Sequence, residues 1–394
     1  MSTSRLIRTL QAATFVLAAS YGVMFTMLDD YRDEYGISET SLGFVVGVGF
    51  FASFAAQLTL APLADRGHAR RLLVIGFSSL VTGCLLMGFG TTALVITLGR
   101  LLMGIGAGMS LPALRRIIIV SDPGNMGLNM GRLVSVDVAG FASGPVLAVA
   151  TVDPIGISAP FVVLAFTTLV IAALLFLSDI PETASEDRAT ERFAFDLLRN
   201  RGVAGGVLIG LSLFLMIGTF DSLWAIMMED LDAPSWMANI GITLFALPMI
   251  FLGPYGGKLA QRVGPYHVGA IGMLVGAVCM SFYGLLPSPY LMMLVFLLHA
   301  TNDGFTVTSS SVAVAQAAPT ERQAGAQGLL GGMQTLFGGL AASAAGWSYD
   351  IFGRGPTFVA TSLAIVVLVG SGYGLAGSYR TRRADDDPAP VLSA

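Results

Sequence analysis

Long apolar stretches alternate with short polar ones along the chain, and this pattern predicts the secondary structure. Each stretch runs for about 20 residues with hardly a charge, the length that a helix needs to cross a hydrocarbon core of about 30 Å. Strands of a lipid-facing barrel would instead alternate in polarity, and lipid offers no partner for a free backbone amide. The predicted helices lie near residues 10–29, 40–62, 72–90, 92–114, 130–150, 157–178, 203–227, 236–256, 266–285, 288–313, 325–346 and 356–377.

Composition supports the same fold class, an all-α integral membrane protein whose main partner is the lipid bilayer. Hydrophobic residues make up 54% of the 394, charged residues 12%, and there are 48 glycines. Such a balance is typical of chains whose solvent is lipid. Arg5 and Arg8 precede the first apolar run, which continues for the full membrane thickness, so we expect a membrane helix there and no cleaved signal peptide.

The distribution of basic residues predicts the orientation in the membrane. With both termini inside, 18 of the 21 Lys and Arg lie on the cytoplasmic side. Arg32 and Arg354 lie outside, and Arg100 lies within a span. Positive charge is retained on the cytoplasmic side of membrane proteins. We therefore expect a multi-pass protein of the cell (inner) membrane with both termini in the cytoplasm.

A polar segment in the middle of the chain divides the twelve predicted helices into two sets of six. It reads "DIPETASEDRATERFAFDLLRNR" and is the longest charged segment between spans. We expect a six-helix bundle, a cytoplasmic linker, a second six-helix bundle and a disordered cytoplasmic tail. Their predicted bounds are 1–179, 180–201, 202–378 and 379–394.

The two halves resemble each other when the sequence is shifted by 196 residues. Leu63, Ala64 and Arg66 then fall on Leu259, Ala260 and Arg262. Weak internal similarity at half-chain spacing is typical of duplicated transporters, whose substrate site lies near the bilayer midplane between the halves.

The segment "MLDDYRDEYG" raises a different possibility, because Asp29, Asp30 and Asp33 have the D-D-x-x-D spacing of magnesium-binding prenyl-diphosphate enzymes. No second run of this kind occurs, and a diphosphate-bound magnesium cluster normally takes carboxylates from more than one helix. We therefore favour a solvated outer loop, with no metal and no cofactor, and keep the membrane-embedded enzyme as an alternative of a different class.

The turn after the second predicted helix carries a distinctive basic motif, "APLADRGHARRLL", from Ala61 to Leu73. Asp65 can cap a helix start or pair with Arg115 or Arg116 of a neighbouring helix. The motif resembles the G-x-L-A-D-R-x-G-R-K signature of the major facilitator superfamily, with Ala and His in place of its two glycines. The resemblance implies twelve helices in two pseudo-symmetric bundles. It also implies a gating role for this loop, carried by Asp65, Arg66, Arg70 and Arg71.

Two further elements resemble this superfamily. Arg100, with the glycines that follow it in "GRLLMGIGAG", matches the R-x-x-x-G-x-G element that is associated with proton coupling. An arginine inside a span costs about 2.5 kcal/mol or more at the bilayer centre, so it should face protein or a watery cavity. Gly140, Gly144 and Pro145 reproduce the G-x-x-x-G-P element of antiporters, although the Gly-Gly that completes it is replaced by Ala and Val. A packing face of small residues is the simpler interpretation of this element.

Acidic residues inside predicted spans are the candidate proton carriers. Asp137 lies nearly one helical turn before Gly140, where desolvation disfavours its charged form unless a cation is near. Arg100, on the adjacent span, is the expected modulator of Asp137. Asp303 is a second candidate and Asp221 a third.

Polar residues in the tenth predicted helix form a stripe that we expect to line the central cavity. His299, Asp303, Thr306 and Ser310 recur at spacings of four, three and four, which places them on one face, and Asn302 adjoins them. A polar stripe of this length is costly against lipid. Hydrogen bonding between helices, without transport chemistry, is the alternative interpretation.

Together these features predict a secondary transporter, and not an enzyme, that works by alternating access. Resemblance to the drug:proton antiporter branch implies export of a small, amphipathic or cationic solute in exchange for protons. A proton-coupled importer of a small organic solute is the alternative, with Arg100 or His299 binding an anionic group. We expect a monomer with no nucleic-acid partner.

Overall fold

The computed structural model describes residues 3–183 and 191–380, and this part of the chain is built of helices and turns. The predicted tail beyond residue 380 and the 184–190 portion of the predicted linker lie outside the described residues. The α-helices are α1 (Thr3–Thr26), α2 (Leu28–Tyr35), α3 (Glu39–Thr59), α4 (Ala69–Phe89), α5 (Ala93–Ser121), α6 (Met126–Ile155), α7 (Ala159–Phe176), α8 (Arg201–Asp230), α9 (Ser235–Val263), α10 (Pro265–Leu285), α11 (Pro289–Thr306), α12 (Ser309–Ala317), α13 (Gln323–Phe352) and α14 (Arg354–Ala376).

Twelve membrane-crossing segments are present, as predicted. Ten helical segments of the described chain are long and apolar enough to cross a membrane by length and composition. The other two are α9 and α13, with 29 and 30 residues. Gln323, Gln327 and Gln334 dilute the apolar character of α13, whereas α9 has a stretch without Asp, Glu, Lys or Arg from residue 236 to residue 257.

Several helices run further than the apolar pattern indicates. α5 continues to Ser121 and α6 begins at Met126, so Arg115 and Arg116 lie within a helix. The hydrophobic pattern marks only the lipid-spanning portion, whereas backbone hydrogen bonds continue as far as a cap permits. This extension brings basic side chains into contact with the neighbouring helices.

The structure departs from the predicted elements in two places. The acidic segment after α1, predicted as a loop, forms the short helix α2, which ends at Gly36 in the left-handed conformation with φ of 64°. Tyr31 of α2 is buried and donates a hydrogen bond to the Met87 carbonyl over 2.8 Å. The tenth predicted helix is broken, because α11 ends at Thr306 and α12 begins at Ser309.

Helix packing follows the internal repeat. α1 packs on α6, α3 on α5 and α4 on α7, and the same arrangement recurs as α8 on α13, α9 on α11 and α10 on α14. The core of the second bundle is aromatic, with Trp224 within 5.0 Å of Phe220 and 4.9 Å of Phe296, ring centroid to ring centroid. Burial of rings of this size contributes strongly to packing.

The two bundles touch at one end of the molecule. We call this end the linker side, because α1 begins there, α14 ends there and residues 191–200 lie there, and we call the opposite end the distal side. On the linker side α6 meets α9 through glycines. A Cβ at Gly127 would strike the Gly257 carbonyl, and one at Gly131 would strike the Gly253 carbonyl, so backbone lies directly on backbone.

A second contact between the bundles, α3 on α13, opens toward the distal side. Near the linker side, Gly328 and Gly331 of α13 abut Gln57 of α3. Further along the same helical faces, a Cβ at Gly43, Gly47, Gly339 or Gly346 would meet no atom within 4 Å. Residues spaced by three and four share a helix face. The two helices therefore diverge, and the structure is closed on the linker side.

Candidate functional site

Asp65 joins the two bundles by capping a helix of the opposite one. The turn between α3 and α4 is held by a 3-10 segment, Ala61–Ala64, which presents the fully buried Asp65 to the start of α13. One carboxylate oxygen accepts from the Ala324 N–H over 2.8 Å and the other from the Gly325 N–H over 2.6 Å. The first N–H groups of a helix lack intrahelical partners and carry its positive dipole end, so a carboxylate suits this position.

The pKa of Asp65 is determined by opposing electrostatic effects. Burial raises the pKa of its carboxyl group to about 6, against the opposing effects of the two N–H donors and of Arg116. Arg116 Nε lies 3.5 Å from the Asp65 carboxylate, and this guanidinium also donates to the Pro181 carbonyl and the Thr183 hydroxyl. The sequence predicted a helix cap or an arginine partner for Asp65, and the structure contains both, with Arg116 as the arginine.

Gln261 makes the equivalent contact in the other direction. It occupies the position that Asp65 reaches under the 196-residue shift, and it lies near the end of α9. Its side-chain oxygen accepts from the Gly127 N–H at the start of α6 over 2.7 Å. Its amide nitrogen lies 3.1 and 3.2 Å from the carbonyls of Pro123 and Gly124. Gln261 was not predicted as a contact between the bundles, although the repeat contained the signal.

The basic residues of the gating loop occupy different environments. Arg70 donates to the Phe176 carbonyl and its guanidinium lies over the Phe176 ring, 4.7 Å from the centroid. Arg71 is exposed and Arg66 is half-buried. Glu182 accepts from the N–H groups of Ala69 and Arg70 at the start of α4, over 3.0 and 2.8 Å. Their role in gating stays a prediction.

The later part of the linker is held on the second bundle. Arg322, just before α13, forms ion pairs with Glu191 at 3.1 Å and with Asp196 at 2.8 Å. Ala194 packs beside Gly325, next to the Asp65 carboxylate. The start of α13 is therefore contacted by the first bundle and by the linker together.

Asp137 lies on the face of α6 that carries the glycine motif. Asp137, Gly140 and Gly144 are spaced by three and four, and the two glycines abut Phe15 and Gly22 of α1. Pro145 is accommodated within α6 without ending the helix. The motif thus acts as a close packing surface between α1 and α6, and Asp137 lies half-buried at its linker-side end.

The cation that acts on the Asp137 carboxylate is Arg115 of α5 and not Arg100, which was the expected modulator. Arg115 also lies close to Gly331 of α13, at the contact between the bundles. Depth in the membrane explains the difference. Arg100 is 15 residues before Arg115 along α5, which separates them by about 22 Å at 1.5 Å per residue.

Arg100 is enclosed between α1 and α3. Its guanidinium lies 4.3 Å from the Tyr21 ring centroid and 5.4 Å from that of Phe50, and it packs against Gly49. The side chain is fully buried, and none of its three nitrogens forms a hydrogen bond with residues 3–183 or 191–380. Aromatic faces offer partial compensation for a buried cation.

The polar stripe of α11 and α12 faces the interior of the second bundle, whereas the sequence analysis expected it to line the central cavity. His299 contacts Tyr283 of α10 and Met216 of α8, each over 3.1 Å. Thr306 packs on Gly272 of α10 and Ser310 on Gly210 of α8. The polar groups find partners on neighbouring helices, whose glycines leave room for them. Participation of this stripe in substrate binding stays a prediction.

Asp303 lies at the centre of this stripe and is fully buried. Asn302 donates to one carboxylate oxygen over 3.1 Å and to the Gly272 carbonyl over 3.0 Å. The other oxygen of Asp303 lies 3.7 Å from His299 Nε2 and makes no hydrogen bond with the described residues. A carboxylate without a full set of partners at this depth is suited to bind a proton.

The remaining acidic candidates lie toward the distal side. Asp221 is exposed and lies 20 residues along α8, next to the aromatic core. On α2, Arg32 pairs with Asp29 at 3.0 Å and with Asp33 at 2.9 Å. Within the described part of the chain, no three His, Cys, Asp or Glu side chains converge as a metal site requires.

Two six-helix bundles related by a repeat, joined by helix caps on one side and enclosing ionisable groups, are typical of a membrane transporter. The sequence profile of the Major Facilitator Superfamily matches residues 10–223 and 206–391. The chain belongs to this superfamily, which confirms the resemblance and the fold class inferred from sequence.

Individual relatives are distant. The chain is 26% identical over 291 residues to the multidrug resistance protein MdtG of Proteus mirabilis, covering 69% of this chain and 70% of that protein. It is 25% identical over 239 residues to the human chromaffin granule amine transporter, covering 58% of this chain and 45% of that protein. The chain thus spans under half the length of the amine transporter.

Two solved structures share the fold. The human organic anion transporter MFSD10 superposes with a TM-score of 0.77 at 16% identity, covering 94% of this chain and all of that one. FucP in the outward conformation superposes with a TM-score of 0.76 at 14% identity, covering 95% of this chain and 98% of that one. At these identities the comparison concerns the fold alone.

Proposed function

We propose that the protein exports a small amphipathic or cationic solute in exchange for protons, by alternating access between its two bundles. The observation that carries the proposal is the placement of Asp137. Its carboxylate lies on the α6 face that packs on α1, and it is acted on by Arg115 beside Gly331 of the opposite bundle. Protonation there would alter the charge balance next to the contact between the bundles.

Other observations agree with proton-coupled export. The α1–α6 packing through Gly140 and Gly144 matches the antiporter element of this superfamily. Two relatives are named for multidrug resistance and for amine transport. In the proposed cycle a proton entering from outside neutralises Asp137 or Asp303, the solute leaves outward, and inward release of the proton restores a negative cavity. Asp221 is the third candidate proton carrier.

The membrane setting belongs to the same proposal. The basic residues of the linker side fit a cytoplasmic location for this side and for both chain ends, in the cell (inner) membrane. The chain supplies both halves of the transport path, so the proposed working unit is a monomer. The gating role of Asp65, Arg66, Arg70 and Arg71 is to hold the cytoplasmic side closed.

Proton movement in proteoliposomes tests the proposal. Protein is reconstituted with an imposed pH gradient and a panel of lipophilic cations, and internal pH is followed by fluorescence. Addition of substrate to wild type should release protons, and Asp137→Asn should abolish that release while the protein still folds. Asp153→Asn is the matched control, an exposed aspartate near the other end of the same helix. Proton release by Asp137→Asn at the wild-type rate would contradict the assignment.

A proton-coupled importer is a second candidate, favoured by Arg100. A fully buried guanidinium without hydrogen-bond partners among the described residues is suited to an anionic group on a solute. Concentrative uptake of an organic anion, lost in Arg100→Gln and unaccompanied by cation export, would support this candidate over the first. Unchanged anion uptake in Arg100→Gln would rule out binding at this residue.

A further inference from the structure

We propose that the groove between α4 and α7 at the linker side binds one anionic phospholipid, with its phosphate at Arg70 and Arg71 and an acyl chain along the groove. This site lies on the outer surface of the first bundle and shares Arg70 and Arg71 with the predicted gating loop, but lipid binding there does not depend on the proposed function. The inference rests on the shape of the groove, its depth in the membrane and the charges at its mouth.

The groove is a cavity of about 380 Å³ on the outer surface of the first bundle. Its walls are apolar apart from Arg70 and Ser78. The lining residues that carry its apolar character include Leu73, Val74, Phe77, Leu169, Ala173 and Phe176. Both helices that form it are long and apolar enough to cross a membrane, so the surface around the groove faces lipid.

The length of the groove along the membrane normal matches one acyl chain of a phospholipid and is too short for a ligand that crosses the membrane. Along α4 the lining extends from Arg70 to Ser78. Eight residues of helix rise about 12 Å, while one leaflet contributes about 15 Å of hydrocarbon. The groove therefore stays within the leaflet of the linker side, where a single acyl chain can fill it and its headgroup can reach the mouth.

Cationic side chains lie at the mouth, where the headgroup would be. Arg70 is fixed there because it donates to the Phe176 carbonyl at the end of α7 and lies over the Phe176 ring. Arg71 is exposed beside it. A guanidinium has five N–H donors, so Arg70 retains donors for phosphate oxygens.

The acidic groups near Arg70 affect which headgroup charge the site favours. Glu182 directs both oxygens to the N–H groups of Ala69 and Arg70, so its charge is opposed by the positive end of α4. Asp179 follows Phe176 by three residues in the same segment. Because two guanidinium groups face outward, we commit to a headgroup with net negative charge, and we use phosphatidylethanolamine as the competing zwitterionic headgroup with an ammonium.

Native mass spectrometry of the full-length protein tests the proposal. Delipidated protein in detergent micelles is titrated with phosphatidylglycerol, phosphatidylethanolamine or phosphatidylcholine of the same acyl chains. Wild type should retain phosphatidylglycerol best. Arg70→Ala should weaken that retention by about fivefold, the effect of one arginine at a membrane surface, and leave phosphatidylcholine unchanged. Arg262→Ala, an exposed arginine on the linker side of the second bundle, is the matched control and should behave as wild type.

A second variant tests the acyl chain independently of charge. Ala173→Trp places a large ring in the groove and should reduce the retention of all three lipids, with Arg70 still in place. Thermal unfolding of each variant checks that it folds. Equal retention of phosphatidylglycerol by wild type and Arg70→Ala would overturn the proposal, as would retention of phosphatidylethanolamine equal to that of phosphatidylglycerol. Full retention by Ala173→Trp would also overturn it.

Discussion

The two helix caps between the bundles occupy equivalent positions in the repeat but use different chemistry. Asp65 accepts two N–H bonds from the start of α13 and has a buried arginine beside it. Gln261 accepts one N–H bond from the start of α6 and approaches two carbonyls with its amide nitrogen. A carboxylate only accepts, whereas an amide accepts and donates.

The difference teaches that the closed linker side has one contact that responds to protons and one that does not. Ionised Asp65 gains from the helix dipole and the N–H donors but loses solvation, and its pKa of about 6 reflects the balance. Gln261 bears no charge and needs no compensation. The repeat therefore produced two contacts at equivalent positions with unequal sensitivity to pH.

Removal of the Asp65 carboxylate should have the largest effect on closure of the linker side. Asp65→Ala leaves two buried N–H groups of α13 without acceptors, which costs roughly 3 kcal/mol of linker-side closure. Spin labels at Gly43→Cys and Gly346→Cys, where the helices diverge, report the distal distance by electron–electron double resonance. The distance distribution should shift toward shorter values as the linker side opens.

Asp33→Ala is the control for this measurement, because Asp33 is an exposed aspartate on the distal side. Its distance distribution should match wild type. If Asp65→Ala gave the wild-type distribution as well, the helix cap would not hold the linker side closed.

Acidification should give the next largest effect, through the Asp65 carboxyl group. Its pKa is about 6 in the closed state and near the model-peptide value of about 3.9 when the cap is released, so the closed state binds the proton more tightly. Closure is therefore favoured as pH falls through 6 toward 4, and it is disfavoured above pH 6. Between pH 7 and pH 5 the ratio of closed to open molecules should rise roughly tenfold.

The same pair of spin labels measures this pH dependence, and Asp65→Asn provides its control. The amide oxygen still accepts an N–H bond, as Gln261 does, but the group does not titrate. The distance distribution of Asp65→Asn should be the same at pH 7 and at pH 5. A pH response retained in Asp65→Asn would assign it to another group.

Loss of the Gln261 amide should have the smallest effect of the three. Gln261→Ala leaves one N–H group of α6 without its acceptor, which costs about 1 kcal/mol, or a fivefold shift toward opening. The shift should be the same at pH 5 and pH 7, because no titrating group is changed. A Gln261→Ala shift that depended on pH would show that the two caps are coupled.

Much of the fold could be predicted from sequence. Helix positions and the two-bundle arrangement follow from the length of apolar runs and from the repeat, since lipid admits few alternatives. Asp65 was also identified, because its motif is local and its capping chemistry is general. The prediction was least accurate where a helix breaks, at Thr306–Ser309, and where a polar segment became helix α2.

The partners of the ionisable groups could not be predicted, because they depend on depth and facing direction in three dimensions. Arg115 acts on Asp137 since the two lie at similar heights on adjacent helices, while Arg100 lies on the same helix at another level. The stripe on α11 has the predicted spacing, but spacing alone does not determine which neighbouring helix it faces.

The glycine seam between α6 and α9 has a thermodynamic consequence. Gly127 and Gly131 meet Gly257 and Gly253 backbone to backbone, so few side chains are immobilised when this contact forms, chiefly Gln261 and Ser135. Separation of the glycine contacts exposes peptide groups and little apolar surface, which makes their contribution to the heat capacity of opening small. The balance between closed and open molecules at this seam should therefore change with temperature along a nearly straight van't Hoff line.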